Sequence, residues 1–149
     1  MRGESPCFGL VGLGNDLTEH DAVGIELARL ARSRRPDLWV RLAWSDLTRL
    51  LAEPVVPKRL WIVDALLDPT RPAGRIHPLP AAALHRFGGR LGDSAHGLDP
   101  LTAWGLVRLA DPRFAQVKAR FWGVSAGRLA EVAPWAVERW ISRLPPGYG

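Results

Sequence analysis

Asp21, Asp64 and His96 are the residues of this chain whose chemical types and positions could combine into a reactive site. Asp64 ends the apolar run Leu60-Trp61-Ile62-Val63, where an unpaired carboxylate would be costly to desolvate, so it must meet a cation, a donor or water. Asp21 lies six residues past Gly12-Leu13-Gly14-Asn15. Its position at a predicted helix start admits a metal ligand or, with Thr18, the acid of a capping box. His96 stands in Ser94-Ala95-His96-Gly97, a predicted loop just before a helix. Two carboxylates and one imidazole from three loops make a mixed oxygen and nitrogen donor set with open positions. That set suits a divalent borderline metal such as nickel or zinc better than it suits a closed thiolate site.

A competing pattern is Gly123-Val124-Ser125-Ala126-Gly127, a G-x-S-x-G sequence between a predicted strand and helix, the context of a nucleophile elbow. The usual order of that triad places its acid and histidine after the serine, and no Asp or His follows Ser125. The serine-hydrolase alternative therefore needs Ser125, His96 and Asp64 to converge by geometry alone. The structural alternative makes Ser125 a cap of the last helix. Gly12 and Gly14 begin a dinucleotide fingerprint, but Leu17 stands where its third glycine is required.

These residues need a scaffold, and the hydrophobic pattern supplies one. Cys7 to Gly12, Leu38 to Leu42, Leu60 to Val63, Arg75 to Leu79 and Arg120 to Val124 read as strands. The continuous apolar run at Leu60 to Val63 is that of a central parallel strand covered on both faces. Only about ten residues separate Asp64 from the fourth strand, too few for a parallel crossover, so that strand is expected to run antiparallel. Helices are expected over Asp21 to Arg34, over Asp46 to Ala52, from the Asp99-Pro100 start, and over Leu129 to Ile141 with Pro134 kinking or restarting it. The alternation predicts a three-layer α/β/α sandwich with a mixed five-stranded sheet, mostly parallel with one antiparallel strand. In such a sheet the ligand site lies beyond the carboxyl ends of the parallel strands, where Asn15, Asp64 and Ser125 fall.

At 149 residues and 16.4 kDa, the chain reads as a single domain over 1–149. A 47% share of hydrophobic residues with 23% charged is enough to build a core and excludes a disordered chain. The net charge of +5 raises the question of nucleic acid. Lysine is confined to Lys58 and Lys118, however, and the densest arginine cluster, Arg32, Arg34 and Arg35, complements the dipole at a helix end. No nucleic-acid partner is expected. No apolar run approaches the roughly 20 residues that span a bilayer, so no membrane partner is expected either. Met1 to Pro6 has no apolar stretch of a secretory signal and Cys7 has no internal partner, which together point to the cytoplasm.

Taken in order, Gly12-Leu13-Gly14-Asn15, Asp21-Ala22-Val23-Gly24, Val63-Asp64-Ala65, Pro72-Ala73-Gly74-Arg75-Ile76 and Ser94-Ala95-His96-Gly97-Leu98-Asp99-Pro100 resemble the motifs of the nickel-iron hydrogenase maturation protease family. The likeness runs from Phe8 to about Val124. It implies an endopeptidase that removes the C-terminal extension of a hydrogenase large-subunit precursor after nickel insertion, with the nickel supplied by the precursor. It assigns the metal-contacting acid to Asp21, the strand-end acid to Asp64 and the histidine to His96, and so overrides the capping-box role of Asp21. Three departures stand out: His20 replaces the first acid of the usual pair, Ala43-Trp44-Ser45-Asp46-Leu47 replaces a glycine- and threonine-rich turn, and the segment from Ser125 to Leu129 is short. A non-catalytic binding protein or chaperone for a metalloenzyme precursor is the third reading.

Overall fold

Six consecutive buried residues, Phe8–Leu13, form β1, an interior strand of a five-stranded sheet ordered β2-β1-β3-β5-β4. The computed structural model describes residues 4–15, 17, 18, 20–66, 68, 70–80 and 99–148. Strand β1 is flanked by β2 (Trp39–Trp44) and β3 (Arg59–Ala65), both parallel to it. Beyond β3 lies β5 (Lys118–Val124), also parallel, and at the edge β4 (Ile76–Leu79) runs antiparallel to β5. The short connection after Asp64 thus imposes the reversal expected of it.

Alternation along the central strands feeds two cores. On one face α1 (Val23–Arg34) and α3 (Pro134–Ser142) cover Phe8, Leu10, Trp61, Val63 and Trp122. On the other, α2 (Pro100–Ala110) and a 3-10 segment at Leu47–Ala52 cover Val11, Ile62 and Phe121, with Trp104 packed edge-on against Phe114. This is the three-layer sandwich with a mixed sheet. Among the described residues no helix is long and apolar enough to cross a membrane.

Local chemistry explains the helix starts. Asp99 caps α2 by accepting the Thr102 amide at 3.0 Å, and Pro100 occupies the first turn, where no amide hydrogen is needed. Pro134 restarts the chain: a 3-10 turn at Leu129–Glu131 ends first, and Pro134 opens α3 afresh, because its ring would clash with the carbonyl of a preceding helical turn. Two boundaries differ from the sequence reading in ways that bear on the site. Helix α1 begins at Val23, which leaves Asp21 outside it. Strand β3 continues through Asp64 to Ala65, because Asp64 pairs with Gly123 of β5. Cys7 precedes β1 and is half-buried, not enclosed within the strand.

Candidate active site

Glycines bring the two acids together. Gly24, in the first turn of α1, packs so closely on the sheet that a Cβ would lie 2.2 Å from the Leu13 carbonyl oxygen and 2.7 Å from that of Val63. Any side chain there would lift the helix start away from the ends of β1 and β3. Gly14 leaves β1 with φ 137°, a conformation that L side chains rarely adopt. The turn closes when the Asn15 amide donates to the Asp21 carbonyl at 2.7 Å. The N-cap of α1 is Ala22, with no side-chain cap, so the box between Thr18 and Asp21 does not form. The Ala22 and Val23 amides instead both donate to the Gly127 carbonyl at 2.9 Å. The short segment after β5 is in this way pinned to the start of α1, and the Arg128–Glu26 ion pair at 3.3 Å reinforces it.

Asp21 and Asp64 are both buried, at 3% and 6% exposure, with their carboxyl groups adjacent. Asp64 also accepts the Ala65 amide at 2.8 Å. Burial pushes the Asp64 carboxyl well above the usual carboxylate range, and the adjacent Asp21 pushes it further in the same direction. A pair of this kind shares a proton or meets a cation. The site is thus primed for a positive charge arriving from the carboxyl edge of the sheet, and its oxygen donors fit a divalent metal.

His96, the third residue of the predicted set, lies outside the described residues, and among those residues no group of three metal-ligating side chains converges. His20, which stands in place of the family's first acid, is exposed. At the end of β2, Trp44 takes φ 55°, unusual for a bulky residue, with its carbonyl accepting the Gly14 amide at 2.8 Å. The departure from a glycine-rich turn thus places an aromatic ring at the same sheet edge, with the Arg29 guanidinium 5.4 Å from its centre.

Ser125 does not cap the last helix, whose N-cap is Ala133, and His96 of the proposed triad lies outside the described residues. Its hydroxyl donates to the Pro72 carbonyl at 2.6 Å and accepts the Arg75 amide at 3.0 Å, tying the turn before β4 to the end of β5. That proton is committed, and the acid the triad required, Asp64, lies beside Asp21. His77 is the residue that sequence reading passed over. Its Nε2 lies 3.5 Å from the Ser125 hydroxyl, and burial, with Arg71 nearby, lowers its pKa. His77 and Asp64 both oppose Gly123 in the ladder, two strands apart on one face. The antiparallel pairing of β4 was the available clue, because it places alternate residues of that strand on the face of Asp64. Buried Asp68 serves its own turn, accepting the amide and hydroxyl of Thr70 at 3.0 and 2.7 Å.

The sequence matches no protein-family model and no curated protein sequence. Solved structures do resemble it. The NiFe hydrogenase maturation protease HybD from Thermococcus kodakarensis superposes with a TM-score of 0.70 at 19% identity, over 91% of this chain and 94% of that one. A hydrogenase 3 maturation protease gives 0.63 at 22% identity, over 95% and 91% of the two chains. The endopeptidase HycI from Escherichia coli gives 0.56 at 23%, over 92% and 88%. At such identities the likeness establishes a shared fold across nearly the whole chain.

Proposed function

We propose that this protein is an endopeptidase of the hydrogenase maturation type, which trims the C-terminal extension of a nickel-iron hydrogenase large-subunit precursor once nickel has been inserted. The observation that carries this reading is the buried, adjacent pair of Asp21 and Asp64 at the carboxyl edge of the sheet. It is supported by the names of the proteins that share the fold, which are hydrogenase maturation proteases and endopeptidases.

In this reading nickel belongs to the substrate. Asp21, Asp64 and His96 complete the shell of a metal already held by the precursor, and Asp64 gives up its proton as the cation arrives. Holding the metal fixes the position of the adjoining tail, and polarisation of the scissile carbonyl or of water lowers the barrier to hydrolysis. Selectivity follows from the same charges, since a precursor without nickel brings no cation to two buried carboxyl groups. Recognition then combines metal with folded surface, so a short peptide carrying the cleavage sequence is a poor substrate even with free nickel.

The test is incubation of the purified protein with nickel-loaded and nickel-free precursor, following loss of the tail by intact mass. Processing of the loaded form alone is expected. Equal processing of both forms refutes metal-gated recognition. Binding without cleavage of either favours the chaperone reading and implicates His20.

A further inference from the structure

Four arginines, Arg75, Arg120, Arg139 and Arg143, surround one groove of about 400 Å³ between β4, β5 and α3, and among the described residues no acidic one lines it. All four are exposed, and among the described residues none makes an ion pair. Five arginines elsewhere are paired. Arg34, Arg35, Arg41, Arg113 and Arg128 each face a carboxylate within 3.3 Å, and Glu138, the acid next to Arg139 in the chain, is turned to Arg34 on α1. Four like charges around one cavity repel each other, so the groove favours whatever anion neutralises them.

The aromatic lining adds donors and shape. Trp122 and Trp140 are 5% and 3% exposed, and among the described residues their indole N–H groups are buried without an acceptor. Both side chains line the groove. Trp135 is half exposed, and the Arg75 guanidinium lies 4.6 Å from its ring centre, which holds that cation in place at the mouth. Arginine forks beside tryptophan, with donors and no acceptor from acidic side chains, match carboxylates attached to a peptide.

The groove also reaches the carboxyl edge of the sheet. Pro72 and Arg75, which line it, are the residues that Ser125 ties to the end of β5. The groove opens on the α1 and α3 face of the sheet, with Ile76, Trp122 and Trp140, whereas Asp64 and His77 point to the opposite face. We infer that this groove docks an acidic segment of the protein substrate, apart from the bond to be cut. The inference rests on the protease reading for the identity of the substrate, and on the groove alone for the chemistry of the segment.

The experiment titrates the full chain with a hexaglutamate peptide, following tryptophan fluorescence. It compares wild type, the double variant Arg139→Glu with Arg143→Glu, and a control of equal charge, Arg49→Glu with Lys58→Glu, at exposed sites away from the groove. Saturable binding is expected in wild type and control, weakened at least tenfold in the groove variant. Arg139→Gln with Arg143→Gln should fall between and guards against misfolding of the charge reversal. Equal affinity in all proteins, absence of saturable binding to wild type, or tighter binding of hexathymidylate than of hexaglutamate each overturns the inference. In precursor processing the groove variant should raise KM and leave kcat unchanged, and an unchanged KM also overturns it. Hexaglutamate binding by a wild type that leaves nickel-loaded precursor uncut refutes the protease reading and leaves the acidic-peptide groove standing.

Discussion

Replacing Asp64 with asparagine should make the metal-free protein more stable at neutral pH. An aspartate in the unfolded chain releases its proton near 3.8, whereas burial and then the Asp21 carboxyl raise the value for folded Asp64 well above this. Between the two values the folded state holds a proton that the unfolded state has lost, so stability falls as pH rises through that window. Protonation sets a ceiling on the loss. Holding a proton costs about 1.36 kcal/mol for each pH unit above the ordinary value, or at most roughly 4 kcal/mol at pH 7. Asparagine has the same shape, keeps an acceptor for the Ala65 amide that Asp64 binds at 2.8 Å, and offers Asp21 a donor without a charge. The expected gain is about 1 to 4 kcal/mol at pH 7, which raises Tm by roughly 3 to 12 °C in a domain of this size. Thermal unfolding followed by circular dichroism, with chelator present, should show the gain at pH 7 and its decline toward zero near pH 3.5. A variant less stable than wild type at pH 7, or a gain equal at both pH values, would refute the view of Asp64 as a buried acid held against its own titration. Under the proposed function the same variant should not process precursor, because it withdraws a carboxylate from the incoming metal.

Asp21→Asn and His96→Ala should likewise abolish processing in the intact-mass assay, and full activity in either removes that residue from the site. Ser125→Ala should retain processing while losing about 1 to 2 kcal/mol in urea unfolding, because its bonds to Pro72 and Arg75 are structural; labelling of Ser125 by a fluorophosphonate with loss of activity would reverse this. Gly24→Ala should cost about 3 kcal/mol or more, since its Cβ would lie 2.2 Å from a backbone oxygen, and an unchanged urea midpoint would contradict that packing. Asp99→Ala should cost about 1 kcal/mol at pH 7 through loss of the α2 cap. Burial alone would raise the Asp99 carboxyl, but its bonds from Thr102 and neighbouring amides outweigh burial and lower it. The cap's contribution is therefore present above the ordinary carboxyl value and fades as pH falls through the lower folded one, which urea unfolding at pH 7 and pH 3 would show.

Much of the scaffold was legible because its causes are local. A continuous apolar run at Leu60 to Val63 reads as a strand covered on both faces, the short link after Asp64 favours an antiparallel neighbour, and Asp99-Pro100 states a helix start in two residues. Residue types at the carboxyl ends of those strands were enough to single out Asp21 and Asp64. Their convergence was expected from position, but how tightly they approach was not legible, nor was the failure of Thr18 and Asp21 to form a box, because both follow from how closely Gly24 lets α1 approach the ends of β1 and β3. Ser125 shows the same limit: its sequence context fits a nucleophile elbow, yet pairing across the sheet commits its proton to Pro72. The arginines that looked scattered along the chain, Arg75, Arg120, Arg139 and Arg143, meet in one groove only when β4 reverses beside β5 and Pro134 restarts α3 against them. Spacing along the chain specifies each element, since hydrogen bonding and burial repeat over a few residues. Which charges face each other across elements is set by packing distances, and those exist only once the layers have closed.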